Sequence, residues 1–224
     1  MTPTRLAAVL LAALLVLAPV ADASKFKVID AVKPLSIEGY SVNTQTGEVE
    51  HINICTTASI NKNASEKGNG GYWLTAAHCV EEPEITYWIA GQKAPVVMRD
   101  VLNDLAILWT EKPAKVALKL ANKWPEFGDK IYMAGHPFGY GAMFFTQGFV
   151  ANPSGYLENW MSYRPFMLLD VAGAPGSSGS PVTNDKQEII SVLQIGWGDR
   201  RGFSPVLGGA TLGAVRNYKN YFGK

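Results

Sequence analysis

The chain has 224 residues, of which 47% are hydrophobic, enough for the buried core of a single domain. Its 22 glycines and 13 prolines favour many short strands and turns over long helices. The formal net charge is only +1, which argues against a protein that binds nucleic acid or anionic membranes.

The first segment has the pattern of a secretory signal peptide. Arg5 supplies a positive charge, residues 6–20 are almost wholly apolar, and residues 21–23 form a small-x-small cleavage site. The alternative is a retained membrane anchor, but the apolar run is shorter than the ~20 residues that span a bilayer. We therefore expect residues 1–23 to be removed and a secreted chain, extracellular or periplasmic, to begin at Ser24 without stable membrane insertion.

The cysteine count favours a disulfide over a metal site. Cys55 and Cys79 are the two cysteines, and an even pair in an exported protein usually forms a bridge. The alternative is two buried free thiols. Two cysteines and three scattered histidines lack the spacing of metal ligands, so we expect no metal. We expect no cofactor either.

Short apolar or alternating runs predict strands in the first half of the mature chain. These runs cover residues 51–60, 71–75, 84–90 and 94–101. A helical turn over residues 76–80 follows the second run and carries His78. The hairpin made by the last two runs returns the chain to Asp104, which directly precedes the apolar strand 105–108.

Asp104 is the better partner for His78. A carboxylate at the start of a buried strand needs partners for its charge, and an imidazole N–H with backbone amides supplies them. Asp100 is the rival acid, but its neighbours Met98 and Arg99 favour an exposed position. We therefore predict that Asp104 orients His78.

The second half follows a segment rich in lysine, proline and alanine, residues 110–127, which separates it from the first. Strands are predicted there over residues 129–135, 144–150, 166–170, 188–196 and 210–215.

A turn rich in glycine and serine, residues 173–181, has the composition of an exposed nucleophile site. Glycines let the backbone bend sharply and leave room for a substrate carbonyl, although the same pattern also fits a plain surface turn. Ser178 is the predicted nucleophile, while its rivals Ser177 and Ser180 should point elsewhere in an extended turn. The backbone N–H groups of Gly176 and Ser178 are expected to form an oxyanion hole.

Three blocks, around His78, Asp104 and Ser178, occur in the order base, orienter and nucleophile. They resemble the signature blocks of the chymotrypsin-like (trypsin-like) serine proteases: Leu74-Thr-Ala-Ala-His-Cys79, Asp104-Leu-Ala-Ile-Leu108 and Gly176-Ser-Ser-Gly-Ser-Pro181. Further segments are similar to the high-temperature-requirement proteases and their glutamyl-endopeptidase-like relatives: Ala134-Gly-His-Pro-Phe-Gly139, Thr146-Gln-Gly-Phe-Val150 and Asp170-Val-Ala-Gly-Ala-Pro-Gly-Ser-Ser-Gly179. The resemblance spans residues 52–222.

The resemblance implies an all-β fold of two antiparallel six-stranded β-barrels of the chymotrypsin-like kind. Residues 110–127 would link the barrels, and residues 215–222 would form a short C-terminal helix. The disulfide would join Cys55 to Cys79 beside the catalytic histidine. His136, a rival base, lies in a turn that has no proton-transfer role in this family. Because the sequence stops soon after the helix, we expect no PDZ domain.

The resemblance also assigns the substrate pocket. Its floor and entrance would be Ala172 and Gly173, and its wall strand would include Gly196, Trp197 and Gly198. Since no acid stands at the floor, cleavage after lysine or arginine is not expected. Gly196 stands where the glutamyl enzymes place a histidine, which argues against glutamate. The expected pocket is uncharged and takes small-to-medium or aromatic apolar side chains.

These observations predict a secreted serine endopeptidase, with residues 24–224 as its protease domain and a protein or peptide as its substrate. We expect a monomer. One alternative is a catalytically silent protease-like binding protein, which the intact triad argues against. The other is an esterase with the same triad, although the Ser-Asp-His order of the α/β hydrolases is absent.

Overall fold

The structure, a computed structural model, describes residues 26–42, 49–64, 70–139, 141–156, 165–196 and 204–222. The expected signal peptide, residues 1–23, and the expected start at Ser24 lie outside these residues. So do two of the predicted wall residues, Trp197 and Gly198. No helix in the described part is long and apolar enough to cross a membrane.

The described residues are mostly strands, as the glycine and proline content predicted. The strands are β1 (Val32–Val42), β2 (Val49–Ala64), β3 (Gly70–Thr75), β4 (Tyr87–Ile89), β5 (Gln92–Lys93), β6 (Val96–Asp100), β7 (Leu105–Thr110), β8 (Lys119–Leu120), β9 (Lys130–Gly135), β10 (Phe144–Gly155), β11 (Phe166–Gly173), β12 (Pro181–Thr183), β13 (Glu188–Gly196) and β14 (Ser204–Ala210). The α-helices in this part are α1 (Lys27–Ala31) and α2 (Leu212–Arg216). Single 3-10 turns cover Ala77–Val80, Pro137–Gly139 and Lys219–Tyr221.

The strands form two sheets that correspond to the two predicted barrels. In the second half, β9, β10, β11, β14, β13 and β12 pair in a ring that β12 closes onto β9, while β8 adds to β13 in parallel. In the first half the antiparallel order is β5-β4-β1-β2-β3-β7-β6. The predicted two-barrel fold is therefore confirmed, with a closed six-stranded second barrel.

The first barrel differs from the prediction in its closure. It is a half-barrel of seven strands, and in the described residues its end strands β5 and β6 do not pair with each other. Strand β5 has only two residues, Gln92 and Lys93. So short a strand offers few N–H and C=O groups to close a ring, which leaves the sheet open at this edge.

Two predicted elements of the second half were wrong in their limits. The last strand ends at Ala210 instead of running over residues 210–215, and α2 begins at Leu212 instead of residue 215. Thr211 explains the change, because its side chain accepts a hydrogen bond from the Ala214 N–H and so caps the helix. The predicted linker also contributes β8 to the second sheet.

An apolar core shared by the two sheets fixes how they meet. Ile107 of the first half and Ile189 of the second are both fully buried in this cluster, together with Val28 of α1 and Val215 of α2. Burial of each such side chain is worth about 1.5–3 kcal/mol. The interface between the sheets is therefore a hydrophobic core, and the loops at its edge are held in fixed positions.

A polar contact ties the segment after α2 back to the first sheet. The Tyr218 hydroxyl donates to the Asp100 carboxylate, and Asn103 donates to the same carboxylate through its side chain (2.6 Å) and its backbone N–H (3.0 Å). Burial alone would raise the pKa of Asp100, but the hydrogen bonds from Tyr218 and Asn103 outweigh it and lower that pKa. Burial and the neighbouring carboxylate raise the pKa of Tyr218 to about 12.

Replacing Tyr218 by Phe should lower the free energy of unfolding at neutral pH by about 1.5 kcal/mol, since a hydrogen bond to a charged group is lost. The Asp100 contribution is present above the ordinary carboxyl pKa of about 3.9 and is lost as the pH falls. The Tyr218 contribution is present below about pH 10 and is lost as the pH rises further. The difference between wild type and Tyr218→Phe in urea unfolding should therefore be largest between these limits.

The matched control is Tyr221→Phe, because the Tyr221 ring packs edge-on against Tyr72 and this substitution keeps the ring. A Tyr218→Phe effect that is the same at pH 3, 7 and 11 would contradict the assignment of this hydrogen bond.

Candidate active site

The predicted base and its orienting acid are in direct contact. His78 Nδ1 lies 2.9 Å from Asp104 Oδ2, and the His78 backbone N–H donates to Asp104 Oδ1 at 2.8 Å. The histidine side chain is 39% exposed and the aspartate 15%. A carboxylate that accepts both groups fixes the orientation of the imidazole, with Nδ1 towards the acid and Nε2 on the far side of the ring.

The rival acid has a different set of contacts. Asp100 accepts hydrogen bonds from Asn103 and from Tyr218, which follows α2 in the chain. Asp104 follows in the same turn and adopts φ +50° before β7 begins. A non-glycine residue in this left-handed region costs about 1–3 kcal/mol, which contacts with its surroundings must offset.

The predicted nucleophile turn depends on two glycines. Gly176 has φ +91° and Gly179 has φ +83°. A Cβ at Gly179 would lie 2.1 Å from the Thr56 carbonyl oxygen, and a Cβ at Gly176 would lie 2.7 Å from that of His136. Both positions therefore require glycine for conformation and for space.

Thr56, which the sequence analysis did not identify, makes two hydrogen bonds to this turn and a third to His136. Its backbone N–H donates to the Ser178 carbonyl at 2.8 Å. Its hydroxyl donates to the Gly176 carbonyl at 3.0 Å and accepts from the His136 N–H at 2.9 Å. The one sequence signal for this role is its position next to Cys55.

The disulfide joins this strand to the histidine turn. Cys55 and Cys79 are bonded, with their Cα atoms 6.1 Å apart, so Thr56 and His78 are each the direct neighbour of one half of the bridge. Closing a loop with a sequence separation of 24 residues is worth ~3.5 kcal/mol in the chain-entropy model. The turn that contains Ser178 and the turn that contains His78 are thus connected through one strand, one bridge and two hydrogen bonds.

The rival serines are turned inwards. Ser177 is 2% exposed, and its hydroxyl accepts from the Ala174 N–H at 3.3 Å. Ser180 is fully buried, and its hydroxyl has no hydrogen-bond partner among the described residues. Ser178 between them is only partly buried.

Two backbone N–H groups of the turn are available to a ligand. The Phe138 N–H donates to the Pro175 carbonyl at 2.5 Å, so the N–H of Gly176 in the same trans peptide points the opposite way. The Ser177 and Ser180 N–H groups have acceptors within the turn, at 2.9 and 3.0 Å. Neither the Gly176 nor the Ser178 N–H has an acceptor in the described part of the chain.

The predicted floor residues lie on β11. Ala172 is exposed and Gly173 is buried. A Cβ at Gly173 would lie 2.8 Å from Leu207 Cδ1 and 3.6 Å from Met133 Cε. Gly196, at the end of β13, is the pairing partner of Leu207 in β14. An open groove of about 540 Å³ is lined by Gly176 and Pro175 of the turn and by Phe138, among others.

One set of potential metal ligands stands close together in the described residues: Cys55, His78 and Cys79, with ligand atoms within 4.8 Å of one another. Both sulfurs are in the disulfide and so provide no thiolate for a metal. His136, the rival base, is 4% exposed, and its backbone N–H donates to the Thr56 hydroxyl.

Comparisons with known proteins agree with this arrangement. The model of the trypsin-like peptidase domain family matches residues 64–192. A probable periplasmic serine endoprotease, DegP-like, from Pseudomonas putida is 32% identical over 127 residues, which are 54% of this chain and 26% of that protein. A protein of the same description from Hahella chejuensis is also 32% identical, over 54% of this chain and 27% of its own length. The matched region thus spans about a quarter of these relatives.

Solved structures share the fold at low sequence identity. The HtrA-type protease AlgW with a decapeptide superposes with a TM-score of 0.68 and 19% identity, covering 86% of this chain and 64% of that one. The active form of the Rv3671c protease from M. tuberculosis gives a TM-score of 0.64 and 19% identity, covering 88% and 82%. The family model covers more than half of the chain, so the protein belongs to the trypsin-like peptidase domain family, and its similarity lies with the DegP- and HtrA-type members.

Proposed function

We propose that this protein is a serine endopeptidase that cleaves peptide bonds through His78, Asp104 and Ser178. The observation that carries the proposal is the position of His78. Its ring and its backbone N–H are both held by Asp104, and the disulfide places its turn beside the strand that binds Ser178.

The proposed reaction has two halves. The Ser178 hydroxyl attacks the substrate carbonyl while His78 Nε2 accepts its proton, and Asp104 stabilises the imidazolium. The N–H groups of Gly176 and Ser178 bind the oxyanion, each worth roughly 3 kcal/mol in the transition state. His78 then gives its proton to the leaving amine, and an acyl-enzyme remains. Water, deprotonated by His78, releases the acid and restores the serine.

We further propose that the protein is exported. The predicted signal at residues 1–23 supports this location, as does the Cys55–Cys79 disulfide, because such bonds persist in oxidising compartments. The relatives are described as periplasmic. The predicted signal, the disulfide and the description of the relatives are all consistent with a periplasmic or extracellular protein.

The substrate residue before the cleaved bond is proposed to be small and aliphatic. The space beside Gly173 is occupied by the methyl groups of Leu207 and Met133, and Leu207 is buried. Because these apolar side chains already fill the space beside Gly173, the proposal favours alanine or valine over the aromatic side chains that the sequence also allowed.

Ser178→Ala should abolish labelling by a fluorophosphonate and lower kcat for casein by at least about a thousandfold, because the nucleophile is removed. Ser180→Ala is the matched control: it lies two residues away, and its buried hydroxyl has no described partner, so labelling and turnover should persist. Labelling of Ser178→Ala would contradict the proposal. An unlabelled wild type would favour the binding protein, and turnover of short-chain esters alone would favour the esterase.

Thr56→Val should lower kcat about tenfold, because a displaced Gly176 weakens the oxyanion hole, for which the loss of a whole donor costs about a hundredfold or more. Thr57→Val is the control, since Thr57 is also buried and its hydroxyl donates to the Lys33 carbonyl at 3.0 Å, away from the turn. Both variants should unfold at lower urea concentration. Equal kcat in the two would show that Thr56 matters only for stability.

Leu207→Ala should shift cleavage of a peptide library from alanine and valine towards leucine and phenylalanine by about tenfold or more, as methylene-sized changes in a pocket do. Leu169→Ala, at another fully buried position of the same barrel, should destabilise the fold without this shift. A wild type that prefers aromatic or basic residues would refute the proposed preference for small aliphatic residues.

A further inference from the structure

Gln194 makes a contact across the two halves of the molecule that no part of the proposed reaction uses. It lies on β13, two residues before the predicted wall residue Gly196, and is 5% exposed. Its Nε2 donates to the backbone carbonyls of Asn103 at 2.6 Å and Asp104 at 2.7 Å. The side chain of Gln194, in the second barrel, therefore binds the backbone of Asp104 in the first.

The backbone conformation of Asp104 needs such stabilising contacts. Its φ of +50° is unfavourable for a residue with a side chain. The preceding residues give little support, because Val101 is 67% exposed and Leu102 is 83% exposed. On one side the turn is held by the contacts of Asn103 with Asp100. The two hydrogen bonds from Gln194 hold the same turn at the carbonyls of Asn103 and Asp104.

Only the nitrogen of the Gln194 side-chain amide makes hydrogen bonds in the described part of the chain. Its Oε1 is buried and has no hydrogen-bond partner among the described residues, and an unsatisfied buried acceptor is unfavourable. If this glutamine only packed in the core, we would expect hydrogen bonds to both its amide nitrogen and its amide oxygen, or an apolar side chain in its place. Its two donor bonds are directed at the Asp104 turn alone, which points to a role in the site.

We propose that Gln194 is a positioning residue of the triad. It fixes the Asp104 backbone so that both carboxylate oxygens reach His78, at 2.8 and 2.9 Å. The inference rests on the proposed function, since it assigns a role in that same site. It also couples the proposed substrate-binding strand β13 to the acid, because Gln194 belongs to that strand.

The test compares Gln194→Met with Gln92→Met. Methionine keeps the length of the side chain and removes both amide groups. Gln92 is the matched control: it bonds the Lys112 carbonyl at 3.3 Å and the Lys112 N–H at 2.8 Å, in the short edge strand β5. Gln194→Met should lower kcat about tenfold to a hundredfold, as a misplacement of about 1 Å does, with KM within about twofold. Gln92→Met should leave both constants unchanged.

A second readout needs no turnover. In protein labelled with 15N-histidine, the Nδ1–H proton shared by His78 and Asp104 should give a low-field NMR resonance, assigned by its loss in Asp104→Ala. Gln194→Met should move or broaden this resonance, and Gln92→Met should not. If Gln194→Met does not fold, Gln194→Asn replaces it, since its amide is one methylene short of the two carbonyls.

An active wild type whose kcat and resonance are both unchanged by Gln194→Met overturns the inference. A wild type that neither turns over nor reacts with a fluorophosphonate overturns the proposed function instead, and the resonance then still decides the role of Gln194.

Discussion

The bond between Cys55 and Cys79 is the constraint on which the candidate site depends. It ties the strand that contains Thr56 to the turn that carries His78, and Thr56 in turn binds the backbone on both sides of Ser177. Without the bridge, the two turns would still be related through the pairing of β2 with β3 and the hydrogen bond from the Thr75 hydroxyl to the Thr56 carbonyl, but by no covalent link. With it, the turns that carry the two candidate residues, His78 and Ser178, are joined through a covalent link and short hydrogen bonds.

The two sheets contribute different parts of the site. The half-barrel provides the candidate base and its acid, while the closed barrel provides the glycine turn and the strand beside the proposed pocket. The hydrophobic core between them keeps these parts at a fixed separation, since interiors are packed as densely as crystals and resist small shifts. Polar side chains that cross the boundary, Thr56 and Gln194, then set the finer alignment of the loops.

The sequence predicted the parts whose signal is local. The blocks around His78, Asp104 and Ser178, the cysteine pair and most strands were all visible as short patterns, and the two-barrel fold followed from the resemblance. Thr56 and Gln194 were missed because their partners are backbone carbonyls, 120 and 90 residues away, and any residue supplies a carbonyl. The start of α2 was missed because Thr211 suits a strand as well as a helix cap, and only the three-dimensional path decides between them.

The contact between Tyr218 and Asp100 also bears on when the site is assembled during synthesis. The two residues are 118 positions apart, and the bond from Thr56 to Gly176 spans a similar distance. A ribosome that adds about 5–20 residues per second needs several seconds to cover that interval. Between the synthesis of Asp104 and that of Ser178, the nascent chain contains the histidine and the acid but not the candidate serine. Synthesis from the N-terminus therefore completes the candidate site residues only at Ser178, and Tyr218, which binds Asp100, follows after the last strand of the second barrel.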